Sequence, residues 1–104
     1  MGAAPKAEEQ KIEALIDHVR QLDGKAVFIR NGDEHSAKDA AEHMARKRKS
    51  AGDDVKTAKA FIAECASKSS LSGKPYQIRF KDGKTVTAEA YLTEQLSKLE
   101  SGKP

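Results

Sequence analysis

Tyr76-Gln77-Ile78-Arg79-Phe80-Lys81-Asp82-Gly83-Lys84-Thr85-Val86-Thr87 is where the chain leaves the helical spacing of its earlier segments. Tyr76, Ile78 and Phe80 alternate with polar residues, the two-residue period of a strand with one buried face. Asp82-Gly83 supplies the positive backbone angle that a tight hairpin turn needs. Thr85-Val86-Thr87 then returns as a second strand. A two-stranded hairpin is marginal on its own, so Tyr76, Ile78, Phe80 and Val86 must pack on helices.

The helices are read on either side. Ile12, Leu15, Ile16, Val19 and Leu22 recur at three- and four-residue steps, one stripe of a helix that begins near Glu8. Gly24 stops it, since a left-handed residue costs glycine little. Ala26-Val27-Phe28-Ile29 is apolar but too short for a helix. It reads as an extended segment able to join the hairpin as a third strand, and it ends in the turn signal Asn31-Gly32. Ser36 is placed to cap a second helix, with Asp39 favourable in its first turn. The inner stripe there is Ala37, Ala40, Ala41, Met44 and Arg48. A third helix starts at Asp53 or Asp54 and buries Val55, Ala58, Phe61, Ile62, Cys65 and Ala66. Ser67 to Gly73 form a polar loop. Thr87 caps a final helix with the stripe Ala88, Tyr91, Leu92, Leu96 and Leu99. No internal repeat and no linker is read. The expected fold is α+β, mostly helical: about four helices and a small antiparallel β-hairpin, with a third short strand admissible. Residues 8–100 form one domain, and residues 1–7 and 101–104 are loose ends.

Composition narrows the classes. The 104 residues are 38% hydrophobic, and 16 of the apolar residues are Ala, which leaves enough bulk for one small core only. No apolar run approaches the ~20 residues of a membrane helix. One Cys closes no internal disulfide, and Cys65 lies on an apolar helix face as a small hydrophobe. Lys and Arg exceed Asp and Glu by 19 to 16. The signs are mixed along most of the chain, whereas nucleic-acid domains concentrate basic charge on one face. Met1-Gly2-Ala3-Ala4-Pro5 has neither a basic start nor an apolar core, so the sequence as written shows no secretory signal.

Three blocks carry a resemblance. Phe28-Ile29-Arg30-Asn31-Gly32-Asp33 is the first, Ala40, His43, Met44 and Lys47 the second, and Ser69-Ser70, Ser72-Gly73-Lys74-Pro75-Tyr76 the third. Together they resemble the YfeK-like family, small bacterial proteins of unknown function that typically carry an N-terminal signal peptide, over about Ile12 to Leu99. The resemblance implies an exported, periplasmic protein and supplies no catalytic residue. Relatives place a Cys near the Arg-Asn-Gly block; this chain has Lys25-Ala26 before it and Ser36-Ala37 after it, so no role for such a Cys carries over.

The densest chemistry is Arg30, Asn31, Gly32, Asp33 and His35, where an apolar run meets a helix start. Arg30 is suited to clamp a carboxylate or phosphate. The structural alternative is that Arg30 pairs with an acid, Asn31-Gly32 turns the chain and Asp33 caps. Asp39, His43 and Lys47 share one helix face. Two ligands of that kind do not make a zinc site, and His43 reads as a half-buried ring bonded to backbone or carboxylate. No cofactor or metal motif is present. The leading expectation is a non-enzymatic periplasmic interaction module that binds another protein or an envelope polymer. Its candidate surface comprises Arg30, Asn31, His35, His43, Lys47 and Tyr76. An alternative is a small-ligand binder or enzyme using Arg30 and His43, which requires both to converge within a helix diameter. A second alternative is weak nucleic-acid or anionic-surface binding through Arg46-Lys47-Arg48-Lys49. Successive helical residues fan around the axis, which argues against it.

Overall fold

In the computed structural model, residues 6–67 and 73–101 are described. The expectations of loose ends at residues 1–5 and 102–104, and of a serine loop at 68–72, lie outside the described residues. Helix α1 spans Lys6–Gln21, two residues earlier than the hydrophobic pattern alone indicates, and its stripe from Ile12 to Leu22 is buried. A turn through Gly24, at φ 82°, leads into strand β1, Ala26–Arg30.

Asn31 and Gly32 both have positive φ, 55° and 83°, the geometry of a type I′ two-residue hairpin. The chain therefore returns at once as strand β2, Asp33–Ser36, pairing Val27 with Ser36 and Arg30 with Asp33. The sequence reading missed this strand. Asp-Glu-His-Ser has no apolar alternation, and what makes it a strand is the ladder offered by β1 rather than its own propensity. Helix α2, Ala37–Ala51, follows at once, its first turn capped by the Ser36 hydroxyl, which accepts from the Asp39 N–H at 3.1 Å.

A 3₁₀ turn, Gly52–Asp54, comes next. The third helix does not begin at Asp53 or Asp54. Helix α3 is Ala58–Phe61, and it continues as a π turn, Ile62–Ala66. Its start is set by two acceptors: the Thr57 hydroxyl takes the Ala60 N–H at 3.0 Å, and the Glu8 carboxylate takes the Ala58 N–H at 2.8 Å. The second of these comes from α1 and has no local signature. Strand β3, Gln77–Phe80, and strand β4, Thr85–Thr87, form the expected hairpin, with Gly83 at φ 93° in its turn. Helix α4, Ala88–Glu100, is capped by the Thr87 hydroxyl.

The sheet is fully antiparallel in the order β2-β1-β3-β4, with Phe28 opposite Ile78 at its centre. Opposed residues share a face, so His35, Phe28, Ile78 and Val86 form one row across the sheet. That face turns to the helices: Ala26, Phe28 and Ile78 are buried with Leu15, Met44, Phe61 and Leu92. The other face carries Glu34 and Arg79, joined by a salt bridge, and is solvated. The α+β, mostly helical class is as read from the sequence, with a larger sheet. Leu99 departs from its assigned stripe: it is 42% exposed, because α4 outruns the core by its last turn.

The element order also contains a duplication that sequence comparison within the chain does not reveal. Helix, hairpin, helix occurs twice: α1-β1-β2-α2 and α3-β3-β4-α4. Val27 faces Ser36 across the first hairpin as Gln77 faces Thr87 across the second. Ser36 and Thr87 each cap the helix that follows. Behind them, Ala37 and Ala41 are fully buried, as are Ala88 and Leu92. The pairing of Phe28 with Ile78, each the other's counterpart, is what a twofold relation about the β1-β3 seam produces.

Candidate functional site

The last residue of β1, Arg30, sits on the helix-facing side of the sheet, two residues beyond the buried Phe28. Continuing the β1-β3 register one step past Ile29 and Gln77 sets Arg30 beside Tyr76. The Tyr76 backbone is held at both ends: its N–H donates to the Ser67 carbonyl at 3.0 Å, and its carbonyl accepts from the Ala88 N–H at 2.9 Å. Above this pair runs α2, which presents Asp39, Ala40, His43, Met44 and Lys47 at helical spacing.

These elements enclose a pocket of about 40 Å³, lined by Phe28, Arg30, His35, Asp39, Ala40, His43 and Tyr76 among others. Phe28, Ala40 and Met44 make its apolar wall. The Arg30 guanidinium donates from Nη1 to His43 Nε2 at 3.1 Å, with Nδ1 at 3.4 Å. A guanidinium has no lone pair to offer. A ring nitrogen facing it must therefore be an unprotonated acceptor, which leaves the imidazole neutral. The Tyr76 hydroxyl stands 3.4 Å from the same Nε2. Lys47 Nζ donates to that hydroxyl at 3.2 Å and lies 5.2 Å from the ring centroid.

The electrostatics agree with the geometry. Burial holds the His43 pKa below the ordinary histidine value of 6.5, and the charges of Arg30, Lys47, Arg46 and His35 lower it further. The Arg30 guanidinium carries five N–H groups, all donors. Among the described residues Arg30 makes no ion pair with a carboxylate. Asp39, exposed at the rim, is the one acid that lines the pocket. Among the described residues, no three His, Cys, Asp or Glu side chains gather to hold a metal ion. A pocket of this size is too small to enclose a whole small molecule.

Of the residues singled out from the sequence, Arg30, His35, His43 and Tyr76 meet at the pocket, and Lys47 joins through Tyr76. Asn31 occupies the hairpin turn and is not among the lining residues. His43 is half-buried as read, but its partners are Arg30 and Tyr76 rather than backbone or a carboxylate. Capping falls to Ser36, not Asp33. Asp39, which the candidate surface does not include, also lines the pocket; its four-residue spacing from His43 is the signal that points to it. Phe28, Ala40 and Met44 gave no signal beyond core residues.

The basic run divides among three surroundings. Arg48 is paired with Glu9 of α1 rather than filling the inner stripe, Lys47 turns to Tyr76, and Arg46 and Lys49 are exposed. A second histidine also finds a partner: His18 Nε2 lies 2.6 Å from the Tyr91 hydroxyl. Burial, then Lys98, lower the His18 pKa. Cys65 is buried, and that burial raises its thiol pKa.

The class these features define is a small two-layer α+β domain with a cationic pocket between its first hairpin and the helix that follows. The chain belongs to the family of unknown function DUF5329, which matches residues 6–100. It is similar to the uncharacterized protein YfeK of Salmonella typhimurium, 38% identical over 69 residues, a stretch covering 66% of this chain and 57% of that protein. No solved structure matches the chain. Among the described residues no helix is long and apolar enough to cross a membrane.

Proposed function

We propose that the domain is a non-enzymatic binding module of the bacterial periplasm that takes an anionic group presented by a protein or an envelope polymer. The observation that carries the reading is the convergence of Arg30, His43 and Tyr76 on one small opening, with Lys47 behind the Tyr76 hydroxyl and no carboxylate of the described residues paired to Arg30. A guanidinium that makes no ion pair with a carboxylate of the described residues keeps its charge for an incoming anion. Reception of one group, with the rest of the partner lying outside, agrees with the pocket's size. The periplasmic part follows the resemblance to exported relatives, and fractionation of cells expressing the full-length protein tests it.

Calorimetric titration with poly-L-glutamate tests the binding. Arg30→Met and Lys47→Met are expected to weaken it, while Arg46→Met, which removes an exposed charge outside the pocket, leaves it nearly unchanged. Equal losses in all three would reduce the effect to general attraction between opposite charges and refute the reading. A small-ligand or enzymatic role remains the second reading, favoured by one observation: Arg30 and His43 meet at 3.1 Å, well inside the distance that role requires.

A further inference from the structure

The two halves of the fold solve the same packing problem, and their solutions differ at one place. The hairpin registers and the paired caps set up a residue correspondence between the halves. Carried to the pocket, it makes Phe80 the counterpart of Arg30, Val86 that of His35, Tyr91 that of Ala40 and Ala26 that of Tyr76. In the second half two of the three counterparts are apolar, and the third, Tyr91, turns its hydroxyl to His18. Phe80, Val86 and Tyr91 pack against the core, and the rings of Phe80 and Tyr91 lie 5.7 Å apart. In the first half the same positions carry a guanidinium, an imidazole and a methyl group. The large ring has moved from the helix to the strand side, as Tyr76, and the pocket opens beside it.

The backbone therefore does not require polar side chains here; the same frame closes with aromatic and aliphatic ones. Apolar contacts at such a position would add stability that a guanidinium with no carboxylate partner among the described residues forgoes. We infer that Arg30, His35 and Ala40 turn a position that the fold otherwise fills from its core into a receptor for a single carboxylate group. The inference rests on the binding reading above and extends it to the ligand's chemistry. A carboxylate matches the planar fork of Arg30 and brings one charge. Asp39 lines the same pocket, so a doubly charged phosphate meets an opposing carboxylate that costs it more. The occupant is the end group of a chain or an acidic side chain, because the space admits little else.

The test copies the second half onto the first. A quadruple variant, Arg30→Phe, His35→Val, Ala40→Tyr and Tyr76→Ala, carries the counterpart residues, and Arg30→Phe with His35→Val is the milder version. Each is melted in plain buffer. Each is also titrated by NMR with sodium acetate and, separately, sodium phosphate at matched ionic strength, with the His43 ring as reporter. The expected result is that both variants fold with midpoints at or above that of the unmodified protein. The unmodified protein shows a saturable response to acetate, larger than that to phosphate, and the variants lose it. A stronger response to phosphate overturns the carboxylate assignment. An acetate response undiminished in the variants overturns the assignment of residues. A fall in midpoint on the order of 10 °C in the double variant overturns the packing argument, whether or not the quadruple variant folds. If the unmodified protein responds to neither ion, the binding reading itself fails, while the melts still decide whether the fold needs these polar residues.

Discussion

Replacing Leu96 and Leu99 with Ala, one at a time, sets burial against helical pattern. Both lie on the stripe that the spacing of α4 assigns to the core. Leu96 is 3% exposed and Leu99 is 42% exposed. Truncating a well-buried leucine loses transfer free energy and leaves a cavity, ~2.7–5.0 kcal/mol in all. A chain of this length unfolds with an entropy of about 0.2 kcal/mol per kelvin, from roughly 2.1 cal/mol/K per residue. A loss of ~3 kcal/mol therefore lowers the midpoint by about 14 °C. Leu99 keeps much of its side chain in water, and Ala is the better helix former, so Leu99→Ala is expected within ~0.5 kcal/mol of neutral, roughly 2 °C. Thermal unfolding followed by far-ultraviolet circular dichroism at one pH and ionic strength reads both. Equal losses at the two positions would refute the placement of α4 on the core.

Other outcomes follow from the charges. Because the folded protein holds His43 and His18 below the ordinary histidine value, the unfolded chain binds their protons first. The stability these rings lend is complete above pH 6.5 and falls as the pH drops through that value towards their folded pKa values. Melts at pH 7.5 and 5.5 check this, and His43→Gln is expected to flatten the difference. Glu8 is held below the usual carboxylate value of 4.5, first by the Ala58 N–H and then by Lys11. Its contribution is present above that value and lost in stronger acid, so Glu8→Gln should lower the midpoint at pH 6 more than at pH 3. Separate Arg30→Ala and His43→Ala variants should each stay within ~1 kcal/mol of the parent, since each loses a part-buried hydrogen bond of the cluster. A fall of many degrees in both would assign the cluster to stability. Cys65 is expected to resist a water-soluble thiol reagent until the protein unfolds, a rate that absorbance reports directly.

Much of the architecture rests on short-range chemistry and is visible along the chain. The Ile12-to-Leu22 stripe, the Ser36 and Thr87 caps and the Asp82-Gly83 turn each act within a few residues, so spacing and residue type reveal them. Candidate pocket residues were partly legible for the same reason: Asp39, His43 and Lys47 are neighbours on one helix wherever that helix packs. Arg30 is marked in the sequence by its position at the end of an apolar run beside a turn.

Contacts across the sheet and between the helices needed the tertiary structure. Asp33–Ser36 becomes a strand because β1 offers it hydrogen bonds, and α3 begins where Glu8, fifty positions earlier, accepts the Ala58 N–H. Tyr76 reaches Arg30 through the register of β1 and β3, which local pattern does not specify between strands separated by two helices. The correspondence of Arg30 with Phe80 and of Ala40 with Tyr91 is hidden for a related reason. A twofold relation constrains backbone positions and hydrogen bonds, whereas the side chains in each half answer only to their own surroundings. Whether a position becomes packed core or an open cationic pocket is settled by which neighbours fold against it.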